Sequence, residues 1–286
     1  MSTSNATARA CVLSAMAGLT LLATGCASTP ATHGGTLALE EIRAGVAKGY
    51  LDAAQLPDSA ALLPPPPAPG STAQALDEQL SQVRQLRGTP RWQQAIVDSN
   101  VQFPAAASIF ACAIGADINE QNAPRLYALL RRSRTDAAAV SDAAKDLHQR
   151  PRPFMANGDG TCTPEKETGL AGNGSYPSGH TSIGAAWALI LAELAPSRAD
   201  AILARGSSYG HSRMVCNVHW YSDVQAGREM GAAVVARLHA DPVFRADMDA
   251  ARGEMAALLA SAAHPPSRDC AAEAAALAIT VPLPAF

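Results

Sequence analysis

The sequence has few aromatic residues and few charges. Aromatic side chains make up 5% and charged side chains 16% of the 286 residues, against roughly 25% charged residues in an average soluble protein. Hydrophobic residues make up 48%, which is enough to bury a sizeable core and excludes a disordered or acidic solvating protein. The formal net charge is −3, which argues against a protein that binds a nucleic-acid polymer.

Long apolar runs are also absent after residue 26. The longest, residues 183–192, has 10 residues and ends at Glu193, whereas a membrane span needs about 20. We therefore expect a buried helix there and no membrane span.

The first 26 residues are typical of an export signal. Arg9 precedes an apolar stretch over residues 12–23, which is too short for a permanent span. The segment Leu22-Ala23-Thr24-Gly25-Cys26 resembles a bacterial lipoprotein signal, in which the cysteine becomes the lipidated first residue. The alternative is ordinary cleavage nearby, with Cys26 discarded or left free. We expect a periplasmic location, with or without an outer-membrane anchor at Cys26.

No pair of cysteines shows the CxxC spacing of a zinc site. If Cys11 and Cys26 leave with the signal, an even number remains, which favours disulfides in an exported chain. The sequence leaves open all three pairings, and also free buried thiols, for Cys112, Cys162, Cys216 and Cys270.

Alanine and leucine dominate, and β-branched residues are few, which favours packed helices over sheets. Helical patterns cover residues 72–86, 90–101, 105–114, 125–134, 137–149, 178–194 and 242–263, and residues 197–239 are interpreted as two helices broken near 206–210. Residues 154–177 are interpreted as a loop, and no segment predicts a strand. The fold class expected is all-α, a helical bundle in a single domain.

We place that domain at residues 48–262. A tether over residues 27–47, small and polar and then helical, precedes it. A tail without a clear period follows over residues 263–286. Consecutive prolines within residues 62–71 impose polyproline II conformation, and we interpret that segment as an extended strap on the domain surface.

Three clusters of polar residues stand out, and the first contains Lys145 and Arg152. They lie seven residues apart at the end of a predicted helix and come to the same side if that helix extends. Arginine offers a planar fork for a phosphate or carboxylate, and lysine offers a point charge. A basic helix end that faces water is the alternative.

The second cluster is a glycine-rich segment, residues 172–181, that leads into a helix start at Ser178. Backbone N–H groups at such a start favour an anion, and the Ser178 hydroxyl can add a donor. His180 would lie in the first turn beside the anion. The alternative is a capped helix with a surface histidine.

The third cluster contains Arg213, His219 and Asp223. His219 and Asp223 are four residues apart and would share a face of a helix. A carboxylate on one imidazole nitrogen fixes the tautomer and leaves the other nitrogen free to attack, and Arg213 could hold an anion against it. A purely structural His–Asp pair is the alternative. His211 has no evident partner in the sequence, and we interpret it as a surface residue or as a support for the residues that contact the ligand.

Together the clusters spell Lys145-x6-Arg152-Pro153, then Pro177-Ser178-Gly179-His180, then Ser212-Arg213-x5-His219-x3-Asp223. This pattern resembles the signature of the type 2 phosphatidic acid phosphatase (PAP2) superfamily, which includes the vanadium haloperoxidases. The longer string from Gly174 to Thr181 resembles that of class A bacterial non-specific acid phosphatases. The resemblance covers about residues 50–258. The lipoprotein-like start, residues 155–172, the pair at 217–218 and the tail depart from it.

The resemblance implies an all-α fold and a role for each motif residue. His219 would be the nucleophile, Asp223 would orient it, and His180 would act as general acid and then base. The transferred phosphoryl oxygens would be held by Lys145, Arg152, Arg213, Ser178 and the Gly179 amide.

The same resemblance implies an exported acid phosphatase that acts on small phosphomonoesters. It would need no metal or cofactor, would be inhibited by phosphate or vanadate, and would form a homo-oligomer. The alternatives are a lipid phosphate phosphatase, a vanadium-dependent haloperoxidase and a non-catalytic phosphate-binding lipoprotein.

Overall fold

A computed structural model describes residues 37–81 and 83–279. The predicted signal over residues 1–26 with its anchor at Cys26, residues 27–36 of the predicted tether and the last seven residues of the tail lie outside the described residues.

Nearly all regular structure in the described residues is helical, which confirms the all-α fold class. The α-helices are α1 (Ser59–Leu62), α2 (Thr72–Leu80), α3 (Pro90–Asp98), α4 (Ala111–Ile114), α5 (Pro124–Ala139), α6 (Asp142–His148), α7 (Pro153–Asn157), α8 (Glu167–Ala171), α9 (Gly179–Leu194), α10 (Ala199–Val215), α11 (Tyr221–Leu238), α12 (Pro242–Ala260) and α13 (Cys270–Leu277). Short 3-10 helices cover Ala53–Gln55, Val83–Leu86, Ala105–Ser108, Pro164–Lys166 and Pro196–Arg198. No helix in the described part of the chain combines the length and apolarity needed to cross a membrane.

Helix α9 forms the centre of the core. Most of its residues are apolar and buried, and it packs against α5, α10, α11 and α12. Its Trp187 is fully buried and donates its indole N–H to the carbonyl of Leu130, at 3.0 Å. Because α9 begins at the predicted anion site, the packing of its other turns fixes that site in the core.

Helix α10 runs without interruption from Ala199 to Val215, so the break predicted near residues 206–210 is wrong. The glycines there serve close packing rather than a turn. A Cβ on Gly206 would lie 2.5 Å from the Cβ of Ala188 on α9, and one on Gly210 would lie 2.9 Å from the methyl carbon of Thr181. The break falls instead at residues 216–220, which contain His219.

Other element boundaries also differ from those predicted. Residues 41–47 form a two-stranded antiparallel hairpin, β1 (Glu41–Arg43) and β2 (Val46–Ala47). The expectations of no strand and of a helical end to the tether are therefore wrong. Strands this short carry too little alternation to be recognised. The predicted loop 154–177 contains α7 and α8, and the tail contains α13.

Two disulfides join all four cysteines of the described chain, so the alternative of free thiols is wrong. Cys112–Cys270 links α4 to α13, and Cys162–Cys216 links the segment before α8 to the end of α10. Cys216 of the second disulfide lies three residues before His219 in the sequence.

Residues 64–68 of the proline strap lie outside the helices and strands, whereas Leu62 ends α1 and residues 69–70 form a turn, so the strap is shorter than predicted. The hydroxyl of Tyr176 donates to the carbonyl of Pro64 at 2.9 Å, which holds the strap against the glycine-rich segment.

Candidate active site

The structure brings the three clusters together around the start of α9. Lys145 and Arg152 both donate to the carbonyl of Gly174, at 2.6 and 3.3 Å. Arg152 also lies 3.1 Å from Nε2 of His219. The backbone N–H of Ser178 donates to the carbonyl of Asp223 at 2.9 Å.

Lys145 and Arg152 converge by a turn and not by an extended helix. Helix α6 ends at His148, and Gln149 takes a left-handed conformation with φ 42°. The chain then turns so that Arg152 becomes the N-cap of α7. Lys145 is 7% and Arg152 3% exposed, so the alternative of a basic helix end that faces water is wrong.

Burial makes both cations expensive to keep charged. Desolvation, followed by the charge of the neighbouring Arg152, lowers the pKa of Lys145 to about 7. Burial likewise lowers the pKa of Arg152 to about 10. A bound dianion would offset the repulsion between these groups, so the pair favours an anionic ligand.

The start of α9 presents donors to the same place. Ser178 is the N-cap, and its hydroxyl oxygen accepts from the Thr181 N–H at 3.3 Å and from the Thr181 hydroxyl at 2.9 Å. Its own hydroxyl hydrogen remains available to a ligand. Gly179 is the first helical residue, and the N–H of that position has no partner within the helix.

His219 and Asp223 are paired, but they do not share a face of one helix as predicted. Trp220 is the N-cap of α11 and His219 precedes it. The Asp223 carboxylate turns back to the helix start, where Oδ2 accepts from the Trp220 N–H at 2.9 Å and lies 3.3 Å from Nδ1 of His219. Because a carboxylate only accepts, Nδ1 of His219 carries the hydrogen and Nε2 keeps its lone pair.

The environment keeps His219 neutral. Burial lowers its pKa well below the ordinary value, and Arg152, Lys145 and Arg213 lower it further. Burial raises the pKa of Asp223, and the adjacent Arg150 opposes that rise. A neutral imidazole with a free lone pair beside several cations can attack an electrophilic phosphorus.

His180 is half-buried in the first turn of α9. Its Nε2 lies 3.2 Å from the carbonyl of Ser99. A carbonyl can only accept, so Nε2 carries a hydrogen and Nδ1 is left for chemistry. Burial lowers the pKa of His180, as do Arg213 and His219, while the Ser99 carbonyl raises it.

Arg213 gives the clearest sign of an anionic ligand. Its side chain is 2% exposed, and its Nε and Nη1 have no hydrogen-bond partner among the described residues. Unpaired donors on a buried charge are costly and rare. An oxyanion between Arg213, Arg152 and Lys145 would satisfy them. No three His, Cys, Asp or Glu side chains in residues 37–81 and 83–279 group in a way that could hold a metal ion.

Comparison with known proteins agrees with this geometry. The family described as "PAP2 superfamily" matches residues 127–246, which include every predicted site residue. An acid phosphatase of Zymomonas mobilis is 43% identical over 216 residues, covering 75% of this chain and 81% of the relative. A non-specific acid phosphatase of Providencia stuartii is 42% identical over 211 residues, covering 73% and 85%. The chain belongs to the PAP2 superfamily. A non-specific acid phosphatase of Salmonella typhimurium, 40% identical over 195 residues with 68% and 78% covered, is a further relative.

Arg150 is a buried cation that is not part of the PAP2 motifs, and it contacts the carboxylate of Asp223, the partner of His219. Arg150 donates from Nη1 to Asp223 Oδ1 at 2.7 Å and from Nη2 to Asp77 Oδ2 at 2.8 Å. Asp77, on α2, also accepts from the Ser222 N–H at 2.8 Å. Arg150 could have been suspected as a third cation beside Lys145 and Arg152. Nothing in the sequence links Asp77 to it.

His211 does have a partner in this PAP2 fold, contrary to the sequence interpretation. Its Nε2 lies 2.8 Å from a guanidinium nitrogen of Arg228. Burial, followed by Arg228, lowers its pKa to about 4, so it is a neutral acceptor within the fold.

Proposed function

We propose that this PAP2 protein is an exported acid phosphatase that hydrolyses small phosphomonoesters through a phosphohistidine on His219. One observation carries the proposal. Nδ1 of His219 lies 3.3 Å from Asp223 and its Nε2 lies 3.1 Å from Arg152, while Nε and Nη1 of the buried Arg213 have no hydrogen-bond partner among the described residues. The printed names of the relatives, acid phosphatase and non-specific acid phosphatase, support the same activity.

In the first step the Nε2 lone pair of His219 attacks phosphorus and the ester P–O bond breaks. The leaving oxygen takes a proton from Nδ1 of His180. Asp223 stabilises the positive charge that develops on the His219 ring. Lys145, Arg152 and Arg213 face the non-bridging oxygens, where charge accumulates in the transition state.

In the second step water attacks the phosphohistidine and gives its proton to His180. The P–N bond breaks, phosphate leaves, and both histidines return to their starting protonation states. The first step therefore needs neutral His219 and protonated His180. Because burial and nearby cations lower the pKa of His180, a substrate dianion must raise it again, and activity should fall as the pH rises above neutral.

The test is phosphate release from p-nitrophenyl phosphate by the purified protein between pH 4 and 8, with EDTA present. We expect EDTA-resistant activity with a maximum below pH 7, inhibited by inorganic phosphate and by vanadate. Rapid quenching in alkali should trap an acid-labile phosphoryl group on histidine. Absence of phosphate release would overturn the proposal, and vanadate loading with halide and peroxide would then test the haloperoxidase alternative.

Replacing His180 with alanine should slow poor leaving groups most. An alkyl phosphate needs the proton from His180, whereas nitrophenolate leaves without help, so we expect losses of about 10³-fold and about 10-fold, respectively. Steady-state kcat for both esters checks this. Equal losses for the two esters would contradict the acid role.

Replacing Lys145 with arginine should flatten the alkaline part of the KM profile. The pKa of Lys145 is lowered to about 7, so above that pH the ammonium loses the charge that holds the dianion. Arginine stays charged throughout. We expect the wild-type KM to rise by up to about tenfold per pH unit above the pKa, and the KM of Lys145→Arg to rise much less. Lys48→Arg, at an exposed lysine paired with Glu40, is the control. A parallel rise in Lys145→Arg would contradict the assignment.

The remaining parts of the proposal concern the cell. We propose that residues 1–26 direct export, that Cys26 carries the lipid anchor and that the protein forms a homo-oligomer. Cys26→Ser should move the protein from the membrane to the soluble fraction, whereas unchanged fractionation would argue for simple cleavage. Light scattering of the purified protein would measure the oligomer.

A further inference from the structure

A buried ionic network lies beside the site, centred on Asp98. This residue ends α3 and is 0% exposed. Its Oδ2 accepts from the Ser212 hydroxyl at 2.6 Å and from Arg205 at 3.3 Å. Its Oδ1 accepts from the Gln94 amide at 2.9 Å and from a second nitrogen of Arg205. Every oxygen lone pair is thus used by the protein, so Asp98 has no capacity left to bind a substrate.

Two predicted site residues, His180 and Arg213, lie next to this network. Ser99 follows Asp98 directly, and its carbonyl receives the Nε2 hydrogen of His180 at 3.2 Å. Arg213 follows Ser212 directly on α10. One carboxylate therefore connects the backbone that holds His180 to the helix position that carries Arg213.

The network extends beyond Asp98 to Arg91. Arg91 gives Ser212 a second contact at 2.9 Å and reaches the Ser208 carbonyl at 3.1 Å. Buried ionic clusters are commonly no more stabilising than apolar residues of the same volume, and one use for them is to fix a particular arrangement. The arrangement fixed here is the position of α3 relative to α10.

Helix α13 also contacts the network, through Glu273. Glu273 on α13 is 6% exposed and lies 3.4 Å from Nε of Arg205. Its other oxygen pairs with Arg268 at 3.0 Å. The Cys112–Cys270 disulfide holds the start of this helix. Arg205 is thereby held between Asp98 and Glu273.

We propose that Asp98 is a positioning residue that sets the distance between the acid His180 and the phosphate-binding Arg213. This inference rests on the proposed phosphatase function for its kinetic consequences. Loosening Asp98 displaces His180 through Ser99 and Arg213 through Ser212, without removing either group. Displacements of about 1 Å cost on the order of 10²-fold in rate.

The experiment uses two variants at the network and one matched control. Asp98→Asn keeps the shape but replaces one accepting oxygen by a donor that faces Arg205 or Ser212. Ser212→Ala removes the hydrogen bond from Ser212 to Asp98 and the contact from Arg91 to Ser212, while Arg205 of α10 keeps its contacts with Asp98. Asp136→Asn makes the same isosteric change in a buried carboxylate of α5. This carboxylate accepts from the backbone of Tyr50 and Leu51 and has no hydrogen bond to a predicted site residue among the described contacts.

For Asp98→Asn we expect kcat/KM to fall by about 10²-fold for an alkyl phosphate and only about tenfold for p-nitrophenyl phosphate. Its Ki for inorganic phosphate should rise by about tenfold. Ser212→Ala should raise Ki for phosphate while leaving the ratio between the two esters near the wild-type value. Asp136→Asn should change neither quantity.

An unchanged ester ratio and an unchanged Ki in folded Asp98→Asn would overturn the inference. A shift of the ester ratio and a rise in Ki in Asp136→Asn, of the size expected for Asp98→Asn, would overturn it as well. If Asp98→Asn fails to fold, an unchanged Ki in Ser212→Ala overturns it instead. If the wild type hydrolyses neither ester, the proposed function has failed. Calorimetric binding of inorganic phosphate to wild type and Ser212→Ala then still tests the link to Arg213, with weaker binding by the variant as the supporting result.

Discussion

Replacing His219 with alanine should lower phosphomonoester turnover by about 10⁴-fold or more. The nitrogen that attacks phosphorus is removed, and no other described group is placed to replace it. His180 has Nε2 on the Ser99 carbonyl, and its remaining nitrogen is needed for proton transfer. The measurement is kcat for p-nitrophenyl phosphate at the wild-type optimum, with a single-turnover assay for the phosphoryl-enzyme.

The His219 variant should still bind phosphate, because Lys145, Arg152 and Arg213 remain. This separates loss of chemistry from loss of the site. His211→Ala is the matched control, since His211 is a largely buried histidine that contacts Arg228 outside the site. Activity within about tenfold of wild type in His219→Ala would rule out His219 as the nucleophile.

Replacing Arg150 with methionine should have the second largest effect. Asp223 is 0% exposed and Arg150 is its only cationic hydrogen-bond partner among the described groups. Breaking a buried ion pair from one side costs about 3–5 kcal/mol, and Asp77 loses the same partner. We therefore expect a large drop in the unfolding free energy and a fall of about 10²-fold in kcat at acid pH.

The Arg150 variant should also shift the pH dependence of the rate in a defined direction. Burial raises the pKa of Asp223 and Arg150 lowers it, so without Arg150 the carboxylate protonates at higher pH. A protonated Asp223 cannot stabilise the imidazolium, so the acid limb of the rate profile should move to higher pH. Arg228→Met, which removes a partly buried arginine paired with His211 and Ser207, should leave that limb in place. Loss of stability with an unmoved acid limb would mean that Arg150 serves the fold alone.

The residues of the candidate site could be proposed from the sequence because each of its motifs is local. Ser178, Gly179 and His180 are consecutive, and the cap of α9 is encoded within three residues. His219 and Asp223 are also close in sequence, although the reason for their contact differs from the one expected. The Asp223 carboxylate returns to the start of α11, so the pair needs a helix terminus rather than a helix face.

The supporting contacts were not predictable because they join distant segments. Asp77 reaches Arg150 across 73 residues, and Asp98 reaches Ser212 across 114. A buried carboxylate has no local pattern that distinguishes it from a solvated one. Gly206 and Gly210 misled the interpretation for a similar reason, since only the contact with α9 shows that they permit close packing.

The Cys162–Cys216 bond closes a covalent ring with a sequence separation of 54. Ser178, Gly179, His180 and Arg213 lie inside this ring, whereas Lys145, Arg152, His219 and Asp223 lie outside it. Closing a ring of this size removes roughly 4 kcal/mol of unfolded-state entropy. Within the ring, residues 164–172 are mostly exposed and offer a site for a protease. A single cut there would leave two polypeptides still joined by the disulfide, so the parts of the site would be retained in one covalent molecule.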